Sequence, residues 1–422
     1  MMKLNSKCNQ MIGFLIFLFM QQGSALAIEN VTTPLSEITE ISLQPLVKII
    51  RPSLTKVKSY SDRMISYRYQ EHSWLTDDSA LHAVINLGSS SQNASLTLYS
   101  SFDKGQNWSS KVSINGTNEK STSDGFLYEN KLFLTHSSLD GHIIFSVLEY
   151  DKIVKNWRFI KNTIVYQNAD FMATGPTLIQ DVQGRFWVVF TRMNNILGLY
   201  DISVYYSINN GDSWIDTHLI IGAVDGSSER SAKLVLLPDR IGAVYTNGNT
   251  INWSYRLNNW DPTTPWSGQL LFQYSGDDKD PFASHFSIAT DQKMNIHIAT
   301  RENKQLLYLR FDNQTQSWDS PRILTSDASV AYMQVSVSTD SRILVLYNTN
   351  TIVKVLQSTD YGSTFSLRSL LIHPSKSNLP SGADFSNPRV ESPSLIGSWL
   401  PVLQQFVLNG YQSLLYYYMP LN

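Results

Sequence analysis

One short pattern occurs three times in this chain and constrains its fold more than any other feature. It reads Ser101-Phe-Asp103-Lys-Gly105-Gln-Asn-Trp108, then Ser207-Ile-Asn209-Asn-Gly211-Asp-Ser-Trp214, then Ser358-Thr-Asp360-Tyr-Gly362-Ser-Thr-Phe365. A weaker echo lies at Phe311-Asp312 with Trp318. The chemistry is that of a tight turn between strands. An Asp or Asn oxygen accepts backbone N–H groups across the bend, and Gly takes the positive φ. The aromatic ring then folds back over the edge of the sheet.

A second periodic unit runs upstream of these turns: an alternating strand, a polar turn with Asp, and another strand. It begins at Trp74, passing through Asp77 and Asp78 into Leu81–Ile85. Copies follow at Thr177–Asp181 into Phe186–Phe190, Leu234–Asp239 into Ile241–Tyr245, Phe286–Asp291 into Ile296–Ala299, and Val335–Asp340 into Ile343–Tyr347. A degenerate copy spans Phe126 to Leu134. The repeat of about 50 to 58 residues is the length of one four-stranded blade with its loops. The expected fold is therefore an all-β propeller of four-stranded antiparallel blades. Six units are plain. Ser392–Ile396, Trp399–Leu408 and Gln412–Met419 add three more strands, and an N-terminal strand around Ile41–Ile50 could complete a last blade and remove its free edge. Seven blades are favoured, with six allowed.

Composition narrows the function. Lys and Arg total 33 against 35 Asp and Glu, so there is no basic excess to neutralise nucleic-acid phosphates. Ten Trp and 21 Tyr in a chain with only 16% charged residues suit many short strands and surfaces that handle sugars. Lys3 and Lys7, the apolar stretch Met11–Met20 and the small-residue site Ala25-Leu26-Ala27 read as a secretory signal over residues 1–27. The expected organisation is that signal followed by one propeller over 28–422, with 28–66 as an N-terminal segment containing the closing strand. Cleavage near Ala27 would deliver the protein to the periplasm or the cell exterior. The sole cysteine, Cys8, lies upstream of the apolar stretch, so the mature chain would carry neither disulfides nor a thiolate metal site.

The turns and the blade pattern resemble the Asp-box propellers of the sialidase (neuraminidase) superfamily over nearly the whole mature chain. Members of that family grip a sugar carboxylate with three arginines, use a Tyr nucleophile activated by Glu, and use an Asp as acid/base. The resemblance implies Arg68, in Tyr67-Arg68-Tyr69-Gln70, as the first arginine, although the family's following Ile-Pro is missing. It implies Tyr332 as nucleophile, Glu229 as its activator two residues out of register, and Arg192 and Arg301 at second-strand ends, where a family arginine also sits. Asn247 stands where another arginine is expected. Asp124 is the candidate acid by its place at the start of the second blade. No cofactor or metal is implied.

Propeller ligands bind where first strands enter the central mouth. The residues at those starts are Arg68, Asp124, Glu229, Arg230, His285, Tyr332 and Arg389. Guanidinium forks bind carboxylates bidentately, which suits an acidic glycan or a lipopolysaccharide sugar. Simpler readings stand beside these. Arg192 and Arg301 could be strand-end surface charges, Tyr332 a packed aromatic, Glu229 with Arg230 a local ion pair, and His285 and His297 core or rim histidines. Three functions remain open: a retaining exo-glycosidase releasing a terminal ulosonic acid (sialic acid or Kdo), a non-catalytic carbohydrate- or protein-binding propeller that engages a partner subunit, and a uronate polysaccharide lyase using His285 and Tyr332.

Overall fold

The computed structural model describes residues 47–422 apart from 66, 89–94, 169–170, 195–198, 223–230, 276–285, 328–329, 350–351, 375–381 and 386–388. The expected signal over 1–27, residues 28–46, Glu229, Arg230 and His285 lie outside the described residues. Val47–Asn422 forms one compact unit, and no helix among the described residues is long and apolar enough to cross a membrane.

Strands such as Leu81–Asn86 and Ile343–Asn348 are buried at every position. A strand with two apolar faces must be covered on both sides, and that requirement builds the molecule. The described strands form seven sheets. Six of them are built on runs of consecutive antiparallel strands. Sheet 1 begins at Ser73–Leu75, sheet 2 at Ser123–Tyr128, sheet 3 at Phe171–Gln180, sheet 4 at Ala232–Leu236, sheet 5 at Phe286–Thr290 and sheet 6 at Tyr332–Ser338. Sheet 7 is composite. It orders the short inner pieces Ala383–Asp384 and Val390–Glu391, then Trp399–Leu408, Tyr411–Pro420 and finally Ser53–Ser59 from the other end of the chain.

Each neighbouring pair of sheets shares one apolar cluster. Trp74, Leu98 and Leu134 join sheets 1 and 2; Phe145, Phe186 and Val188 join 2 and 3; Trp187, Leu234 and Ile241 join 3 and 4. Trp253, Phe286 and Ile298 join 4 and 5, and Ala299, Met333 and Val345 join 5 and 6. Leu346, Leu400 and Tyr417 join 6 and 7, while Ile85, Leu403 and Tyr416 return from 7 to 1. The all-β propeller of antiparallel blades is thus closed into a ring. Outer strands such as Ser267–Gln273 face solvent and carry few buried residues.

Two details differ from the sequence reading. The strand that completes sheet 7 is Ser53–Ser59, whereas Lys48–Ile50 runs parallel to Ser366–Ile372 on the outer edge of sheet 6. Ser53–Ser59 buries only Thr55, Val57 and Ser59, so its apolar signal is faint; Lys56 and Lys58 face outward. The inner strand of sheet 7 is also not Ser392–Ile396. Pro393 interrupts that stretch, and Leu395–Ile396 pairs parallel with sheet 6.

The three repeated turns all link the third and fourth strands of their sheets and share one geometry. In the second copy Ser207 Oγ donates to Asn209 Oδ1 at 2.8 Å, and that oxygen accepts the Ser213 N–H at 3.0 Å. Ser207 Oγ in turn accepts the Gly211 N–H at 2.9 Å. Asp103 and Asp360 take the N–H groups of Asn107 and Thr364 in the same way. The glycine is demanded twice over. Gly211 has φ +81°, and a Cβ there would lie 2.3 Å from the Phe145 ring of the preceding sheet. Gly105 meets Tyr416 and Gly362 meets Tyr308 equivalently. Each turn is therefore a peg locking its sheet to the one before it. Asp312 near the weaker echo caps its own turn without such a glycine. His297 is a core histidine, fully buried between Asp291 Oδ2 at 3.1 Å and Tyr308 Oη at 2.6 Å.

Gly211→Ala should destabilise the protein by about 2–4 kcal/mol through strain and overpacking together. Gly116→Ala, at φ +73° with open space around it, should lose clearly less. Denaturant unfolding of both variants checks this, and equal losses would mean that contact with the preceding sheet contributes nothing.

Candidate functional site

First strands start, and second strands end, on the face opposite the repeated turns. There the segment before sheet 1 crosses the mouth of the ring. Gln70 Nε2 donates to Pro176 O of sheet 3 at 2.8 Å, and Tyr69 stacks on Phe286 of sheet 5 with centroids 5.6 Å apart. A Cβ on Gly175, at φ +59°, would lie 2.6 Å from the Tyr69 hydroxyl, so this segment and sheet 3 fit closely.

Arg68 rides on that segment. It is 6% exposed, and its guanidinium lies 3.8 Å from the centroid of the Tyr332 ring, at the start of the first strand of sheet 6. Burial pushes the Arg68 guanidinium well below the ordinary arginine range; Tyr332 opposes this, while the positive charges of Arg389 and Arg301 add to it. Arg301 comes from the end of the second strand of sheet 5, and Arg389 immediately precedes the inner strand of sheet 7. Arg68, Arg301, Arg389 and Tyr332 thus converge from the two chain ends and two separate sheets. Arg68 Nε and Nη1 and Arg389 Nε are buried with no hydrogen-bond partner among the described residues. No carboxylate is paired with Arg68 or Arg389 among those residues either. Three guanidinium groups held together in this way favour an anion with several acceptor oxygens.

Arg192 stands outside this group. Asp201 holds it through Nη2 at 2.7 Å and Nε at 3.2 Å, and Phe171 lies beneath it, so it arrives already neutralised. It answers to the strand-end ion-pair reading rather than to a ligand contact. Asp124 is likewise committed. Its carboxylate is fully buried, accepts the Glu71 N–H at 2.7 Å and the Leu178 N–H at 3.0 Å, and pairs with Lys233. It ties together sheets 2, 3 and 4 and the lead-in segment. Asn247 is the last residue of the second strand of sheet 4, at the position equivalent to Glu302 in sheet 5, with its Oδ1 buried and unpartnered among the described residues.

The sequence reading missed Glu71 and Lys233. Both line a cavity along the ring axis that also touches Arg68, Gln334 and Ser394. Ser394 donates its N–H to Glu71 Oε1 at 3.2 Å. Burial, opposed by Lys233 and Ser394 and helped by Asp124, pushes the Glu71 carboxyl up to about 7. Its signal was positional: Glu71 lies two residues before a first strand and Lys233 one residue inside another. Among the described residues no group of three or more His, Cys, Asp or Glu side chains could hold a metal ion.

Because the folded-state pKa of Glu71 lies above its ordinary value, the neutral acid favours folding. That contribution is present below about pH 4.5 and is lost as pH rises through about 7. Glu71→Gln should therefore flatten the decline in stability between pH 5 and 8 and leave the variant at least as stable as the parent at pH 8. Urea unfolding across that range checks it, and an unchanged slope would exclude Glu71 as the group responsible.

No protein-family model matches the chain, and no curated protein sequence does. Its fold is similar to solved propellers at low identity. A six-bladed fungal lectin from Aleuria aurantia is 13% identical over 74% of this chain and 96% of that one, with TM-score 0.42. AofleA from Arthrobotrys oligospora is 10% identical over 73% of this chain and 90% of that one, with TM-score 0.46. A mutant Trypanosoma rangeli sialidase displaying trans-sialidase activity is 11% identical over 89% of this chain and 58% of that one, with TM-score 0.45. None of these likenesses extends beyond architecture.

Proposed function

We propose that the mouth of this propeller binds the carboxylate of a terminal ulosonic acid, sialic acid or Kdo, and that the protein is an exported, sialidase-like retaining exo-glycosidase. One observation carries the reading: Arg68, stacked on Tyr332, shares its site with Arg301 and Arg389. Carboxylate recognition by paired guanidinium forks gives orientation as well as affinity. Arg389, from the composite sheet, takes the place of the arginine missing at Asn247.

The choice of a phenol beside arginines has a chemical reason. A carboxylate nucleophile would be repelled by the substrate's own carboxylate, whereas a neutral tyrosine is not. Tyr332 Oη attacks the anomeric carbon as the bond to the leaving oxygen breaks, and its proton passes to Glu229. Water then displaces the tyrosine and releases the sugar with retained configuration. Proteins of this architecture include both a sialidase and lectins. The committed state of Asp124 and the loss of an arginine at Asn247 favour the second reading, a binding propeller without turnover. Nothing among the described residues favours the lyase.

Incubation with sialosides and Kdo-capped lipopolysaccharide decides between them. Free ulosonic acid should appear; Tyr332→Phe should abolish release while leaving binding within about threefold. Arg68→Ala should weaken binding about 100-fold or more, since it strips a buried charge contact from the anion. Binding without release establishes the lectin reading, and Tyr332→Phe retaining activity removes the nucleophile. The free acid at 100 times its Kd should also stabilise the fold by about 2.7 kcal/mol.

A further inference from the structure

A hydrolytic site of this kind requires a carboxyl group that gives a proton to the departing sugar oxygen. Asp124 cannot supply it. Its oxygens are taken up by Lys233 and by the Glu71 and Leu178 N–H groups, all within a fully buried wall. Glu71 differs in each respect. It is the one carboxylic acid among the described residues lining the cavity that Arg68 also lines. The residue is part-buried, and Ser394 holds its carboxyl group through both its backbone N–H and its side chain. Glu71 is three positions beyond Arg68, at most about 11 Å between Cα atoms, and both side chains line the one cavity.

On the reading that the protein is a hydrolase, we infer that Glu71 is the proton donor of this site. As the neutral acid it passes its proton to the glycosidic oxygen while the bond from the anomeric carbon to that oxygen breaks and the bond to Tyr332 Oη forms. As the carboxylate it then takes a proton from the water that displaces Tyr332, which leaves as the phenolate and recovers the proton it gave up on attack. The surroundings suit this exchange. Burial and Asp124 from sheet 2 favour the acid, while Lys233 from sheet 4 and the hydrogen bonds from Ser394 favour the carboxylate; Arg68 lines the same cavity. The outcome is a carboxyl that loses its proton at about pH 7, where both forms are populated.

A general acid is recognised by its dependence on the leaving group, which a merely structural residue does not share. Glu71→Gln should lower kcat/KM about 100- to 10,000-fold on an alkyl-linked ulosonoside. On an aryl ulosonoside, whose phenolate departs without protonation, the loss should be under about tenfold, and the alkaline limb of the pH profile near 7 should vanish. Equal losses on both substrates, or no loss on either, would overturn the assignment. Thermal unfolding and affinity for the free acid verify that the variant is folded and its anion site intact. Activity lost with Tyr332→Phe but kept with Glu71→Gln removes Glu71 alone. A parent protein that binds the acid and releases nothing removes the hydrolase reading and this one together.

Discussion

The whole structure depends on covering both faces of the second strands. Ile343–Asn348 and Leu81–Asn86 have no face that water could wet, so each sheet needs an apolar neighbour on either side. In an open stack the first and last sheets would fail that requirement. Only a ring meets it everywhere, and it also removes the face-exposed ends that would otherwise invite association. The three repeated turns reinforce the seams from outside, because each glycine permits the preceding sheet's Tyr416, Phe145 or Tyr308 to press against the bend.

Closure falls to the chain ends. Trp399–Leu408 is buried almost throughout and Tyr411–Pro420 lies against it, while Ser53–Ser59 supplies the outer strand. The seam between sheets 7 and 1 is then stitched by polar contacts. Glu391 accepts the His72 N–H and the Ser73 hydroxyl, and Gln405 bonds both the Ile65 N–H and the Asp62 carbonyl. Those contacts lie in the same short stretches of chain as Arg68 and Arg389. The interaction that closes the ring is thus the one that brings two arginines from opposite ends of the chain into a single charged site.

Arg68 is held in this cluster at an electrostatic cost. Burial and the neighbouring guanidinium groups act against Arg68, and the Tyr332 ring offsets only part of this by lying beneath it. Asp124 and Lys233 show the opposite solution, a buried pair that satisfies itself and links three sheets. A buried basic side chain is therefore paired with a carboxylate at Lys233 and lies against an aromatic ring at Arg68. Their partners make the difference.

The repeated turns, the blade spacing and the strand alternation were legible in the sequence because they are local: a turn's hydrogen bonds span five residues, and a strand's burial pattern repeats every two. Arg68, Arg301, Arg389 and Tyr332 could be singled out because they sit at strand starts and ends, which the repeat locates. Their convergence could not be read there, nor could the roles of Arg192 and Asp124, since Asp201 and Lys233 neutralise them only through strand pairing and ring closure. The closing strand was misplaced for a related reason: Ser53–Ser59 carries little apolar signal of its own and is specified by the partner strand awaiting it. By itself, then, the sequence determined the blades, their turns and which residue types reach the mouth, all consequences of short-range periodicity. Tertiary structure alone decided which charges meet, which are already paired and which carboxyl, Glu71, is left facing a cavity, because those depend on strand pairing and ring closure, from one hairpin for Arg192 and Asp201 to opposite ends of the chain for Arg68 and Arg389.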